Sequence, residues 1–139
     1  MVSLVRETIA TLESRDMSGP NMVMQFMRTL KIDADKEHFH ALHISARNRL
    51  LSVDLVSVGT LTASLVHPRE LFRKAIIAGC AGIVITHNHP SGDTRPSPED
   101  RSTTRRIVQA GKILGIPVLD HVIWCESGYF SFKEDGAME

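Results

Sequence analysis

The sequence predicts an α+β or α/β fold, a β-sheet with helices packed on it. Three observations carry this. Runs rich in β-branched and apolar residues recur at 37–46, 50–58, 82–86, 118–124 and 129–132, separated by breaks that hold Gly, Asn or Ser. Before and between them, apolar residues return at helical spacing. At 139 residues, with 42% hydrophobic and 23% charged residues, the chain suits one domain with a real core.

The elements follow in order. Val5, Ile9 and Leu12 predict a helix within residues 1–14, and Ser18-Gly19-Pro20-Asn21 breaks it. A second helix is predicted over about 21–31, packing through Met22, Val23, Phe26, Met27 and Leu30. Its methionines read as core packing; exposed, such positions could mediate a homodimer or simply cover the sheet. Strands at 37–46 and 50–58 form a hairpin around Arg47-Asn48-Arg49, and Gly59 ends it. His67-Pro68-Arg69-Glu70 opens a helix whose apolar face is Leu71, Phe72, Ala75, Ile76 and Gly79. Gly82-Ile83-Val84-Ile85-Thr86 has the continuous β-branched pattern of a buried central strand, and it leads straight into His87. Ser97-Pro98-Glu99-Asp100 opens a long helix carrying Ile107, Val108, Ala110, Ile113 and Leu114, which stops at Gly115 before Pro117. Strands at 118–124 and 129–132 close the sheet, with a turn near Ser127-Gly128.

Composition excludes several classes. Lys plus Arg equal Asp plus Glu at 16 each, which argues against a strongly electrostatic partner such as bulk DNA or an anionic membrane. No apolar run is long enough to span a bilayer, and Arg6, Glu7 and Glu13 break any signal-peptide core. Cys80 and Cys125, both in apolar surroundings, read as small buried residues in a reducing compartment, so a cytoplasmic location is expected.

One stretch carries chemistry: His87-Asn88-His89-Pro90-Ser91-Gly92-Asp93-Thr94-Arg95-Pro96-Ser97-Pro98-Glu99-Asp100. Residues i and i+2 of a strand share a face, so His87 and His89 aim two imidazoles at one point. Taken alone, that pair is weak evidence. Ser97 through Asp100 is, by itself, what a helix start prefers: Ser at the N-cap, Pro next, then acids. Together they say more, because the short, turn-rich loop returns the helix start to the strand end. Two nitrogens and a carboxylate with an open position suit a catalytic Zn2+, and Fe2+ or Mn2+ accept the same donors.

These residues also carry a resemblance. His87-x-His89, then Ser97 and Asp100 at this spacing, resembles the signature of the JAMM (MPN+) metalloprotease family, and the fuller string resembles its bacterial RadC branch. Glu37-His38-Phe39, Asn48-Arg49-Leu50, Val66-His67-Pro68-Arg69-Glu70 and Leu119-Asp120-His121-Val122-Ile123 agree with it. The resemblance implies a JAMM (cytidine-deaminase-like) fold over residues 36–133, after an N-terminal helical extension at 1–35 and before a tail at 134–139. It implies His87, His89 and Asp100 as ligands of one divalent metal ion, with Zn2+ favoured. It assigns Glu37 as general acid/base and Ser97 as oxyanion donor in the hydrolysis of an amide or isopeptide bond. The substrate would be a peptide or protein of unknown identity.

Four further histidines stand outside that set. His38, His40 and His43 cluster on the first strand and read as surface or hydrogen-bonded side chains, although His38 and His40 share a face and could form a second metal site. His121 reads as a structural histidine or one near the site. Asp93 reads as a loop-capping carboxylate that could also support a ligand histidine.

Three other functions compete. Longer RadC-like proteins are named for DNA repair and carry a helix-hairpin-helix-like domain, for which the residues before Glu37 are too few. Arg101, Arg105, Arg106 and Lys112 could still dock an anion, with 101, 105 and 112 on one side of the long helix. A non-catalytic protein-binding scaffold is the second alternative, and a two-His-one-carboxylate iron oxygenase the third.

Overall fold

A computed structural model describes residues 15–59 and 66–138, so the helix expected within 1–14 lies outside the described residues. The strands are β1 (His38–Ile44), β2 (Leu50–Val58), β3 (Gly82–Asn88), β4 (Val118–Cys125) and β5 (Gly128–Ser131), and the helices are α1 (Pro20–Thr29), α2 (Pro68–Ala78) and α3 (Pro98–Leu114). They form one mixed sheet of order β2-β1-β3-β4-β5. The β3–β4 pair is parallel and the other pairs are antiparallel. This is the α+β arrangement that the sequence predicts. No helix among the described residues is long and apolar enough to cross a membrane.

Each turn has a local cause. At the β1–β2 hairpin Asn48 takes φ 60, a left-handed conformation that Asn tolerates, and Ser45 Oγ accepts from the amides of Arg47 and Arg49. Gly79 and Gly115 end α2 and α3 in the left-handed conformation.

The sheet is covered on both sides. Phe39, Ala41, Ile83 and Ile85 pack with Leu71, Phe72 and Ala75 of α2 and Ile107 of α3. Leu42, Ile44, Val84, Val122 and Trp124 pack with Val23, Met24, Phe26 and Met27 of α1. β1 and β3 are therefore buried at every position. β3 runs two residues beyond the expected 82–86, which places His87 inside the central strand.

Some packing differs from expectation. Met24 replaces Met22 in the core, and Met22 is exposed, because α1 starts at Pro20 and turns its Val23–Met24 face inward. Ile113 is 85% exposed. The buried stripe of α3 runs Asp100, Thr103, Thr104, Ile107, Val108 and Gly111, and Ile113 falls two positions past it, on the far side of the helix. Leu114 and Ile76 lie in last turns and are also exposed. Cys80 is only half-buried, and both cysteines are free. His38, His40 and His43 are buried rather than on the surface. His38 Nδ1 donates to the Lys36 carbonyl, and His43 Nδ1 meets Ser52 Oγ at 2.6 Å.

Two outcomes are expected. A Cβ on Gly111 would clash with the Ile116 carbonyl oxygen. Gly111→Ala should therefore cost about 1–3 kcal/mol in chemical denaturation, and unchanged stability would contradict this contact. Burial pushes the His40 and His43 imidazoles below their ordinary value of 6.5. A base depressed in the folded state contributes stability above the unfolded pKa and loses it as pH falls from there towards the folded one. Acidification below 6.5 should thus lower stability, each histidine adding up to about 1.4 kcal/mol per pH unit to the slope. His43→Gln should flatten the slope of denaturation midpoint against pH.

Candidate metal centre

Three elements bring the predicted residues together. His87 is fully buried on β3, stacked on Phe39, its cross-strand partner, at 5.6 Å and 19° between rings. His89 lies one residue past the end of β3. Its amide donates to the Trp124 carbonyl at 3.0 Å, which extends the parallel ladder and keeps its ring on the His87 face. Gly92, at φ 85, closes a turn back onto the His89 carbonyl. Ser97 then caps α3. Its hydroxyl accepts from the Asp100 amide, and the Asp100 carboxylate accepts from the Ser97 amide, a reciprocal capping box.

The outcome is a tight convergence. His87 Nε2 lies 3.0 Å from His89 Nε2. Asp100 Oδ1 is 3.2 Å from His87 Nε2, and Oδ2 is 3.2 Å from His89 Nε2. Glu37 is more remote, with Oε1 3.8 Å from His89 Nε2, and it is partly exposed. Glu37, His87 and His89 also form a group whose donor atoms all lie within 4.8 Å of one another, a spacing that could hold a metal ion. Asp100 is the nearer carboxylate to both imidazoles.

Electrostatics fit this crowding. Burial opposes ionisation of Asp100, but the His87 and His89 imidazoles that face it outweigh that and hold its carboxyl far below the usual range. Burial also lowers the His89 imidazole, yet Asp100 and the Asp93 carbonyl raise it overall. His89 Nδ1 donates to that carbonyl at 2.7 Å. Asp93 supports His89 through its backbone, whereas its carboxylate pairs with exposed Arg95, whose bonds pull it down to about 2.

Asn88 and Thr104, whose roles the sequence left unread, and His121, expected as a structural histidine or one near the site, border the candidate centre. The side chain of Asn88, buried between the histidines, accepts from the His38 amide at 2.7 Å and donates to the Lys36 carbonyl at 2.9 Å. It therefore grips the backbone on both sides of Glu37. His121 Nε2 meets His87 Nδ1 at 2.9 Å, and Thr104 Oγ1 meets His121 Nδ1 at 2.5 Å. His121 is fully buried, and burial, then His87, pushes its imidazole well below its ordinary range.

A family model described as the RadC-like JAB domain matches residues 17–137. The chain belongs to that family. As a RadC-like JAB domain it is 46% identical over 134 residues to a UPF0758 protein of Symbiobacterium thermophilum, covering 96% of this chain and 57% of that one. A UPF0758 protein of Rubrobacter xylanophilus is 48% identical over 88% of this chain and 53% of its own. One from Desulforudis audaxviator is 50% identical over 83% of this chain and 48% of its own. The chain spans about half the length of these curated relatives, whose names state no activity.

The RadC-like JAB domain leaves other expected residues elsewhere. Among the described residues, His38, His40 and His43 join no group of metal-donor atoms. Arg106 donates to the Val66 carbonyl, and Arg101 lies over the Phe132 ring at 6.0 Å, so two of the four cations on α3 already have intramolecular partners. The Cys125 thiol meets Ser127 Oγ at 3.1 Å and faces the Gly92 carbonyl, polar company for a residue expected to be apolar-packed.

Ser97→Ala removes one half of the capping box. Stability should fall by about 1 kcal/mol in denaturant titration, and Ser97→Asn should recover most of it. Equal stability of all three proteins would show that the cap does not hold the helix start.

Proposed function

We propose that this domain is a JAMM-type metallohydrolase that cleaves an amide or isopeptide bond, with His87, His89 and Asp100 holding one divalent ion. The observation that carries the reading is the mutual spacing of the three donor groups, 3.0 and 3.2 Å. Donors about 2 Å from a tetrahedral ion stand roughly 3.3 Å apart; the two imidazole nitrogens stand close to that spacing, and each Asp100 oxygen stands close to it from one imidazole. Two imidazole nitrogens and a carboxylate favour Zn2+. Such an ion lowers the pKa of a water to about 7 and polarises a carbonyl oxygen.

The remaining chemistry falls to residues of the chain. Glu37 stands at the edge of the centre, held by the Asn88 grip on its neighbours. It takes a proton from the attacking water and returns it to the leaving amine. Ser97 Oγ accepts from the Asp100 amide, which leaves its own proton for the oxygen that becomes negative on the substrate. Glu37, His89, Pro90, Ser91, Asp93, Arg95 and Ser97 line one open groove. An open groove suits a polypeptide crossing the site better than a small molecule that must be enclosed.

Two outcomes test the reading. Titration of metal-free protein with Zn2+ should saturate at one ion per chain, and Asp100→Ala should abolish that binding; normal binding by the variant sinks the ligand set. Glu37→Gln should keep the ion and lower hydrolysis of any cleaved peptide or isopeptide-linked lysine probe by about 100- to 10,000-fold. Undiminished hydrolysis would remove Glu37 from the mechanism.

A further inference from the structure

Behind the candidate centre, a chain of buried polar groups leads away from His87 to the backbone of α3. Thr104 Oγ1 donates to the Asp100 carbonyl, one turn earlier, at 2.7 Å. A carbonyl can only accept, and a hydroxyl has a single proton, so that proton is committed there. The same oxygen lies 2.5 Å from His121 Nδ1 and can then only accept, which requires the proton to sit on Nδ1. A neutral imidazole carries one proton, so His121 Nε2 is bare. His121 Nε2 faces His87 Nδ1 at 2.9 Å, and His87 Nδ1 must donate to it. The lone pair of a neutral His87 is thereby left on Nε2, the atom that meets His89 and Asp100.

We infer that Thr104 and His121 are positioning residues that lock His87 in the Nδ1–H tautomer and so preset its Nε2 as a metal donor. This rests on the reading of His87, His89 and Asp100 as a metal centre. The polarity runs one way. Reversing it would set a hydroxyl lone pair against the Asp100 carbonyl oxygen, with both buried. Thr104 is 1% exposed and His121 and His87 are 0%, so bulk solvent does not reach the relay to reorient it. Ring packing fixes the planes: Phe132 stacks on His121 at 4.6 Å and 6°, and Phe39 meets its edge at 5.7 Å. Asp100 thus acts twice, its carboxylate at the centre and its carbonyl at the origin of the relay. Partners of this kind typically change metal affinity by about 10- to 100-fold.

The test compares wild-type chain with Thr104→Ser, Thr104→Val and His121→Phe. Zinc affinity is measured by competition with a chromophoric chelator. The His87 tautomer is read in metal-free protein from its ring 15N shifts, and thermal melting reports the fold. Wild type and Thr104→Ser should show His87 protonated on Nδ1 and bind zinc alike. Thr104→Val and His121→Phe should shift His87 towards Nε2–H and weaken zinc binding by about 10- to 100-fold. Wild-type His87 protonated on Nε2, or folded Thr104→Val with wild-type tautomer and affinity, overturns the relay. Should Thr104→Val not fold, the tautomers of wild type and Thr104→Ser still decide. A wild type that binds no zinc yet keeps Nδ1–H overturns the metal centre and upholds the relay.

Discussion

The buried carboxylate of Asp100 is gripped by the Ser97 amide and faces two imidazoles, and the site depends on how its oxygens are divided. Oδ1 looks to His87; Oδ2 looks to His89 and accepts from Ser97. The carboxylate belongs at the N-terminus of α3 on grounds of helix stability alone, because the free amides and the dipole there favour a negative charge. The same preference delivers an ionised acid to the end of β3. Helix initiation and site assembly thus share one carboxylate.

A buried polar cluster costs stability unless each member has a partner. β3 ends in three consecutive polar residues, and the sheet satisfies each in a different direction. Thr86 donates to the Val122 carbonyl on β4, His87 meets His121, and Asn88 reaches the backbone beside β1. Alternation across the strand sends His87 towards α3 while Asn88 turns to the segment that carries Glu37. The x of His-x-His is therefore as tightly placed as the histidines, and it ties the candidate base to the same strand end.

What could be read from sequence is what neighbouring residues decide. The elements, the capping of α3 and the convergence of His87, His89 and Asp100 all follow from short spacings within one strand, loop and helix start. His121 and Thr104 were not legible as partners because their meeting depends on the β3–β4 register and on the rotation of α3. The same blindness explains Ile113 and Met22. Helical spacing marks an apolar face, but the phase of that face against the sheet is set by packing. Asn88 was visible as a motif letter, whereas its role needed the position of residues 36–38 across the sheet.

The parallel pairing of β3 with β4 has a consequence in time. The β1–β2 hairpin is closed by residues 45–49 alone, while residues 89–117 separate β3 from β4. Loop-closure entropy makes the hairpin the cheaper contact, and the parallel pair must wait for the intervening helix to bring its ends together. Glu37 belongs to the side that forms easily; His89, through its ladder bond to Trp124, belongs to the side that forms late. A half-folded chain therefore holds the histidines without their geometry. His87 and His89 take up their mutual geometry only once β4 has paired with β3.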